Sequence, residues 1–182
     1  MFSILTISGA HGTGKSTIGK LIAQKLGIKY YSTGQAFRDL AKEMNLTLEE
    51  FSKHAENNSE IDNKLDNKID EIAQKGNIII DSQLSAYFLK SIADLKILLT
   101  CPLEIRIQRM AERDNTPYNE KLNETLMREE SELQRFQKLY DIDLNDKEKL
   151  LEVYDLTIDT RNLSIEEIVE IILTEIRKRN LI

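Results

Sequence analysis

Residues 4–16 read Ile4-Leu-Thr-Ile-Ser8-Gly9-Ala10-His11-Gly12-Thr13-Gly14-Lys15-Ser16: a short β-rich apolar run, a glycine-rich turn, then a lysine and a hydroxyl. From Gly9 onward the spacing is G-x-x-x-x-G-K-[ST], and helical periodicity runs from Lys15 to about residue 26. A strand entering this loop and a helix leaving it supply the context in which the pattern cradles phosphate. Glycines let successive backbone N–H groups converge on anionic oxygens, and the helix N-terminus adds its dipole. Lys15 reaches the β- and γ-phosphates, and Ser16 can hold Mg²⁺. Gly9, Ala10, His11, Gly12, Thr13, Gly14, Lys15, Ser16 and Thr17 are therefore the expected phosphate-binding segment. The loop needs the backbone of His11, so the expectation for its side chain is an exposed ring without a catalytic role.

Outward from this loop, β-rich apolar runs recur at Ile28 to Ser32, Asn77 to Asp81, Leu95 to Thr100 and Leu156 to Ile158. Helical spacing fills the intervals at 15–26, 35–44, 48–75 with a break near Asn57 and Asn58, 83–91, 103–113, 118–139 and 165–179. Strands that are nearly continuous apolar runs suit a parallel sheet covered on both faces, so a doubly wound α/β fold with five parallel strands is expected. Thr47 to Glu50 and Ser164 to Glu167 spell capping boxes, with Leu46/Phe51 and Leu163/Ile168 as hydrophobic staples. Thr116 before Pro117 suggests a further cap. No repeat or Pro/Gly/Ser linker divides the 182 residues, so a single domain spanning 1–182 is expected.

Composition narrows the function. Hydrophobic residues at 41% and charged residues at 31% are globular proportions. A net charge of -6 has the wrong sign for a domain that binds by neutralising nucleic-acid phosphates, so any anion site must be local. Mean hydropathy is -0.39, and no apolar run approaches the roughly 20 residues of a membrane span. The lone Cys101 rules out an internal disulfide, and no basic leader precedes the first strand, so a cytoplasmic monomer without membrane or nucleic-acid partners is expected.

Two further clusters carry chemistry. Asp81 ends the run Asn77-Ile-Ile-Ile-Asp81, where the C-terminal end of a parallel strand faces ligand and a carboxylate can orient magnesium or its waters. The competing reading is a cap for the next helix. Arg128, Glu132 and Arg135, spaced four and three apart, share one helix face and can converge on one ligand, cations on phosphate and the carboxylate on hydroxyls. The competing reading is a solvated face of salt bridges, with Glu129, Glu130 and Asp141 as partners.

A family resemblance joins these pieces. Tyr31-Ser32-Thr33-Gly34-Gln35-Ala36-Phe37-Arg38 resembles the S-x-G-x-x-F-R signature of nucleoside monophosphate kinases. Together with the loop, Pro102 to Arg106, Arg128 to Glu132, Tyr140 to Asp143 and Tyr154 to Leu156, it is similar in order and spacing to the archaeal-type cytidylate kinases over almost the whole chain. The resemblance implies ATP at Gly9 to Thr17, the monophosphate acceptor at Ser32 and Arg38, and the transferring phosphates at Arg109, Arg113, Arg128 and Arg135. It implies Glu132 near the acceptor's ribose hydroxyls. It makes 35–75 an acceptor-binding helical part and about 110–137 a lid that closes over both nucleotides. One departure stands out: where the family commonly has an arginine, in a pattern like S-R-L-A-G, this chain has Ser82-Gln83-Leu84-Ser85-Ala86. Gln83 donates and accepts hydrogen bonds but carries no charge, which leaves the choice among CMP, dCMP and UMP open.

The implied reaction needs no general base, because a phosphate monoester with a second pKa of ~6 is already deprotonated at pH 7. His11 and His54 form no relay, in keeping with that chemistry. The alternatives are an adenylate-kinase-like or small-metabolite kinase, and a P-loop module that uses nucleotide occupancy as a switch. The switch needs the loop but neither Arg38 nor the arginine-bearing helix.

Overall fold

The computed structural model describes residues 3–181. Five parallel strands, β1 (Ile4–Ser8), β2 (Lys29–Ser32), β3 (Ile78–Asp81), β4 (Leu95–Thr100) and β5 (Leu156–Asp159), form one sheet in the order β2-β3-β1-β4-β5. The register sets Ile7 beside Asp81 and Ile97, and Ser32 beside Asp81, so the C-terminal ends of β1, β2 and β3 share one edge. After β1 the chain moves to one side of the sheet for β2 and β3, then crosses to the other for β4 and β5. The crevice at that reversal is where open α/β sheets hold ligands.

Side chains alternate across the sheet with the pleat. Leu5, Ile7, Ile79, Leu95, Ile97 and Leu99 pack toward α1 (Lys15–Leu26) and α9 (Ile165–Lys178), whose Ile18, Ile22, Ile168, Val169, Ile172 and Ile176 complete the main core. Ile4, Ile78 and Ile80 face the other way, against Ile69 and Ala73 of α4 (Ser59–Ala73) and against Leu89, just past α5 (Ser85–Phe88). Both faces are thus buried, which is why the strands read as unbroken apolar runs.

A separate small core lies beside the sheet edge. There α2 (Thr33–Glu43), α3 (Leu48–Glu56) and α4 enclose Phe37, Ala41, Phe51, Ala55 and Leu65. The Phe37 and Phe51 rings meet edge to face at 4.6 Å. The Thr47 capping box starts α3 as read from sequence, with the Thr47 N–H donating to Glu50 at 2.8 Å, and the Ser164 box starts α9 in the same way. The predicted break near 57–58 separates α3 from α4, where Asn58 caps the new helix.

Three details differ from the sequence reading. The helix expected over 83–91 shrinks to the single turn of α5, because Ser82 and Gln83 are held in the loop that leaves β3. Past α6 (Leu103–Asp114), Pro117 rather than Thr116 occupies the cap position of α7 (Tyr118–Tyr140), and the buried Thr116 hydroxyl finds no partner among the described residues. An unexpected helix, α8 (Lys147–Val153), precedes β5; Asp146 caps it by accepting from the Lys149 N–H at 3.2 Å. Among the described residues no helix is long and apolar enough to cross a membrane.

Phe51 is fully buried in the small core, so Phe51→Ala removes both its contacts and its edge-on partner. The expected loss is about 3–5 kcal/mol, read from urea unfolding. A loss well below 1 kcal/mol would show that this core closes up freely around a void.

Candidate active site

The glycine-rich loop is pressed between β4 and α6. Gly9 has φ +145, and a Cβ there would stand 2.2 Å from the Leu99 carbonyl oxygen. Gly12 has φ +79, and its Cβ would stand 2.7 Å from the Arg106 carbonyl oxygen. Neither position tolerates a side chain without moving backbone, so the loop's conformation is fixed by what it touches. Arg106, buried on α6, clamps the loop from beneath. Its guanidinium donates to the His11 carbonyl at 2.7 Å and to both Glu129 oxygens at 2.6 and 3.2 Å, while Glu129 accepts from the His11 N–H at 3.2 Å.

Lys15 lies at the start of α1, its ammonium donating to the Ala10 carbonyl at 2.9 Å. Burial holds its pKa below the ordinary lysine value, and the carboxylates of Asp81, Glu132 and Glu129 pull the other way. Ser16 donates to Asp81 Oδ2 at 2.7 Å, and Tyr30 and Ser32 donate to the same oxygen at 2.7 and 3.2 Å. Asp81 thus joins β2, β3 and α1 rather than capping the next helix. Among the described residues no group of three or more His, Cys, Asp or Glu is placed to hold a metal ion. The Ser16–Asp81 pair nevertheless fits Mg²⁺, which keeps several waters and takes few protein oxygens when phosphates complete its shell.

The arginine-bearing helix is α7, and its cationic face is turned inward. Arg128 Nε donates to Glu132 at 3.0 Å; Arg135 donates to Asp62 of α4 at 3.0 Å and to Ser131 at 2.9 Å. Glu132 and Arg135 are each about 5–6% exposed, so the solvated-face reading of this helix does not hold. Both guanidiniums lie 5.8 Å from the Phe37 ring centre. Arg38 bonds the neutral Gln35 at 3.0 Å and forms no salt bridge among the described residues. Burial, then the like charges of Arg128 and Arg113, depress its pKa, the mark of cations gathered at one place.

Glu132 is the meeting point of three side chains. Its Oε2 accepts from Gln83 at 2.5 Å and contacts His11 Nε2 at 2.7 Å, while Oε1 takes Arg128. Burial works to raise the Glu132 pKa, but His11, then the charge of Arg128 and the bond from Gln83, prevail and hold it well below the usual carboxylate range. The His11 ring is therefore not the exposed group expected: its side chain is only 18% exposed and is bonded across the cleft. The reason is the curvature of the loop, which the Arg106–Glu129 clamp aims at α7.

Two adjoining cavities occupy the crevice. One is bordered by Ser32, Phe37, Arg38, Asp62, Asp66, Asp81, Gln83, Glu132, Arg135 and Phe136, and the other by Gly12, Thr17, Lys20, Arg113 and Lys121. Lys15, Ser16, Arg38 and Arg128 border both. Arg109 is not among the lining residues of either; it donates to the Thr160 hydroxyl at 3.0 Å and carbonyl at 2.7 Å, on the far side of the loop. Arg113 borders the second cavity with its guanidinium on Asp114 at 2.7 Å. Sequence reasoning gave no role to Arg106, Asp62 or Tyr30; each reaches a partner across 51 or more residues of chain, although the Pro102 to Arg106 segment itself was visible.

A parallel sheet of this strand order, with a phosphate loop after β1 and cationic side chains converging above the strand ends, defines a P-loop kinase fold. Solved structures agree. An uncharacterized protein from Eubacterium ventriosum superposes with a TM-score of 0.71 at 16% identity, over 96% of this chain and 98% of that one. A shikimate kinase from Acinetobacter baumannii gives 0.64 at 17%, over 100% and 97%. The chain belongs to the cytidylate kinase-like family, whose model matches residues 4–162. It is 42% identical over 175 residues to the cytidylate kinase of Staphylothermus marinus, covering 96% of this chain and 97% of that protein. It is 45% identical over 170 residues to that of Sulfurisphaera tokodaii, covering 93% and 92%.

At the edge of the first cavity the Tyr140 hydroxyl donates to Asp66. Burial pushes the Asp66 carboxyl up to about 6 from 3.8, and the Tyr140 bond opposes that rise. Between these values the folded chain binds a proton that the unfolded chain has lost, so stability falls as pH climbs through this window. Asp66→Asn keeps an acceptor for Tyr140 without the charge. Its melting temperature should match wild type near pH ~4 and rise above it by pH ~7, following the linkage sign. An advantage that instead shrinks with rising pH would reverse the assignment.

Proposed function

We propose that this chain transfers the γ-phosphoryl group of ATP to CMP and dCMP, giving ADP and the corresponding diphosphate. The observation that carries the reading is the junction of the two cavities. Lys15, Ser16, Arg38 and Arg128 stand where a phosphoryl group leaving a nucleotide on the loop meets one in the pocket beside Ser32 and Arg135. The names of the curated relatives support CMP as acceptor. A nucleotide switch has no use for such a junction.

The chemistry is positioning and electrostatics. An oxygen of the acceptor phosphate, ionised at pH 7 with a second pKa of ~6, attacks the γ-phosphorus in line as the bond to the ADP oxygen breaks. No side chain need take a proton. The loop N–H groups and Lys15 hold the donor's phosphates, Ser32 and Arg38 hold the acceptor's phosphate, and Arg128 and Arg135 spread positive charge over the group in flight. Glu132 meets the acceptor's ribose hydroxyls. Ser16 and Asp81, already in contact, would hold Mg²⁺ between them, and the ion would supply neutralising charge to the phosphates. In this reading 35–75 grips the acceptor and 110–137 closes as a lid, with Arg113 reaching the phosphates once Asp114 releases it. Arg109, tied to Thr160, reaches them only by a like movement. The chain works as a cytoplasmic monomer.

Coupled detection of ADP with CMP, dCMP, UMP and AMP as acceptors tests the proposal, and turnover greatest with CMP or dCMP is expected. Preference for AMP would move the chain to the adenylate-kinase-like alternative. Lys15→Ala should abolish transfer while the circular-dichroism spectrum stays native. Arg38→Ala should raise the CMP KM and lower kcat/KM by about 1.5–3 kcal/mol, the worth of a charge-assisted bond. An effect confined to the ATP KM would put Arg38 on the wrong nucleotide.

A further inference from the structure

One side chain at the junction has no part in the reading above. His11 borders both cavities alongside Lys15, Ser16, Arg38 and Arg128. It is held by backbone as well as by ring. The N–H donates to Glu129 and the carbonyl accepts from Arg106, so the residue cannot swing away while the Arg106–Glu129 pair stands. The ring Nε2 then falls 2.7 Å from Glu132 Oε2. Gln83 donates to that same oxygen at 2.5 Å, and Arg128 to the other at 3.0 Å.

A buried carboxylate contacted from the loop, from the segment after β3 and from its own helix has little rotational freedom left. A proton on His11 Nε2 lets the ring donate to it. Take the ring away and Oε2 keeps only Gln83. The carboxylate is then free to turn about its side-chain torsions, and Arg128, bonded to its other oxygen, turns with it.

We infer that His11 is a positioning residue that fixes the Glu132 carboxylate, and through it the Arg128 guanidinium, so that the ATP-binding loop shapes the acceptor pocket. This rests on the two-nucleotide reading of the cleft. The loop itself is kept in place by Arg106 and Glu129, so the effect belongs to the acceptor and not to ATP.

The test compares His11→Gln with His11→Asn, because a glutamine amide nitrogen reaches near the position of ring Nε2 and an asparagine amide nitrogen stops near Nδ1. With whichever monophosphate the wild type turns over best, His11→Asn and His11→Ala should raise the acceptor KM about 10-fold, the loss of a bond to a charged group, with the ATP KM within about twofold. His11→Gln should restore most of it. In a Glu132→Gln background, His11→Ala should add little further. Equal behaviour of the Gln and Asn variants, a shift carried by the ATP KM, or full additivity with Glu132→Gln would each overturn the assignment. If the wild type phosphorylated no monophosphate, the proposed function alone would fail. The His11–Glu132 pair would still be read by the same cycle in thermal unfolding of the ligand-free chain, where additivity overturns it.

Discussion

The approach of Gly9 to the Leu99 carbonyl oxygen sets the geometry of everything above the sheet. With only 2.2 Å left for a Cβ, the loop must lie flat against the end of β4. From there Gly12 is brought against Arg106, and Arg106 fastens loop to helix through Glu129. The direction in which Lys15 and His11 leave the loop is a consequence of that contact. So is the seat of Ser16 on Asp81, since α1 begins where the loop ends. A local steric limit between two backbones has thus become the reference from which the site is built.

The second organising feature is the inward charge of α7. Glu132 and Arg135 are buried against other elements and Arg128 is half-buried beside them, and burial of charge is costly unless partners are supplied. Each is supplied: Glu132 for Arg128, Asp62 and Ser131 for Arg135, and Gln83 with His11 for Glu132. Such a network is satisfied at rest yet made of single hydrogen bonds, so an entering phosphate can exchange with its members one at a time. Arg38, whose side chain among the described residues bonds Gln35 alone, needs no exchange.

What the sequence made legible follows from range. The loop, the five strands and the two capping boxes are encoded within a few residues each, and the structure contains them. Near-neighbour spacing also placed Arg128, Glu132 and Arg135 on one face, but whether that face looks outward or inward is decided by α3 and α4, which local spacing does not report. The bond between His11 and Glu132 spans 121 residues and rests on the curvature of a loop, so no periodic signal announces it. The short α8 escaped because its seven residues carry too little periodicity to stand out. Arg109 shows the same limit from the other side: local spacing places it on the arginine-rich stretch of α6 but does not report its bond to Thr160, 51 residues away.

The small core of Phe37, Ala41, Phe51, Ala55 and Leu65 is distinct from the cores on the two faces of the sheet. The wall of the first cavity therefore has its own source of cohesion. Apolar exchanges among α2, α3 and α4 can reshape that wall while leaving the packing of β1 and α1, and with it the phosphate loop, untouched. In evolutionary terms the phosphate loop and the wall of the first cavity sit on separate foundations, so selection can revise one without disturbing the other.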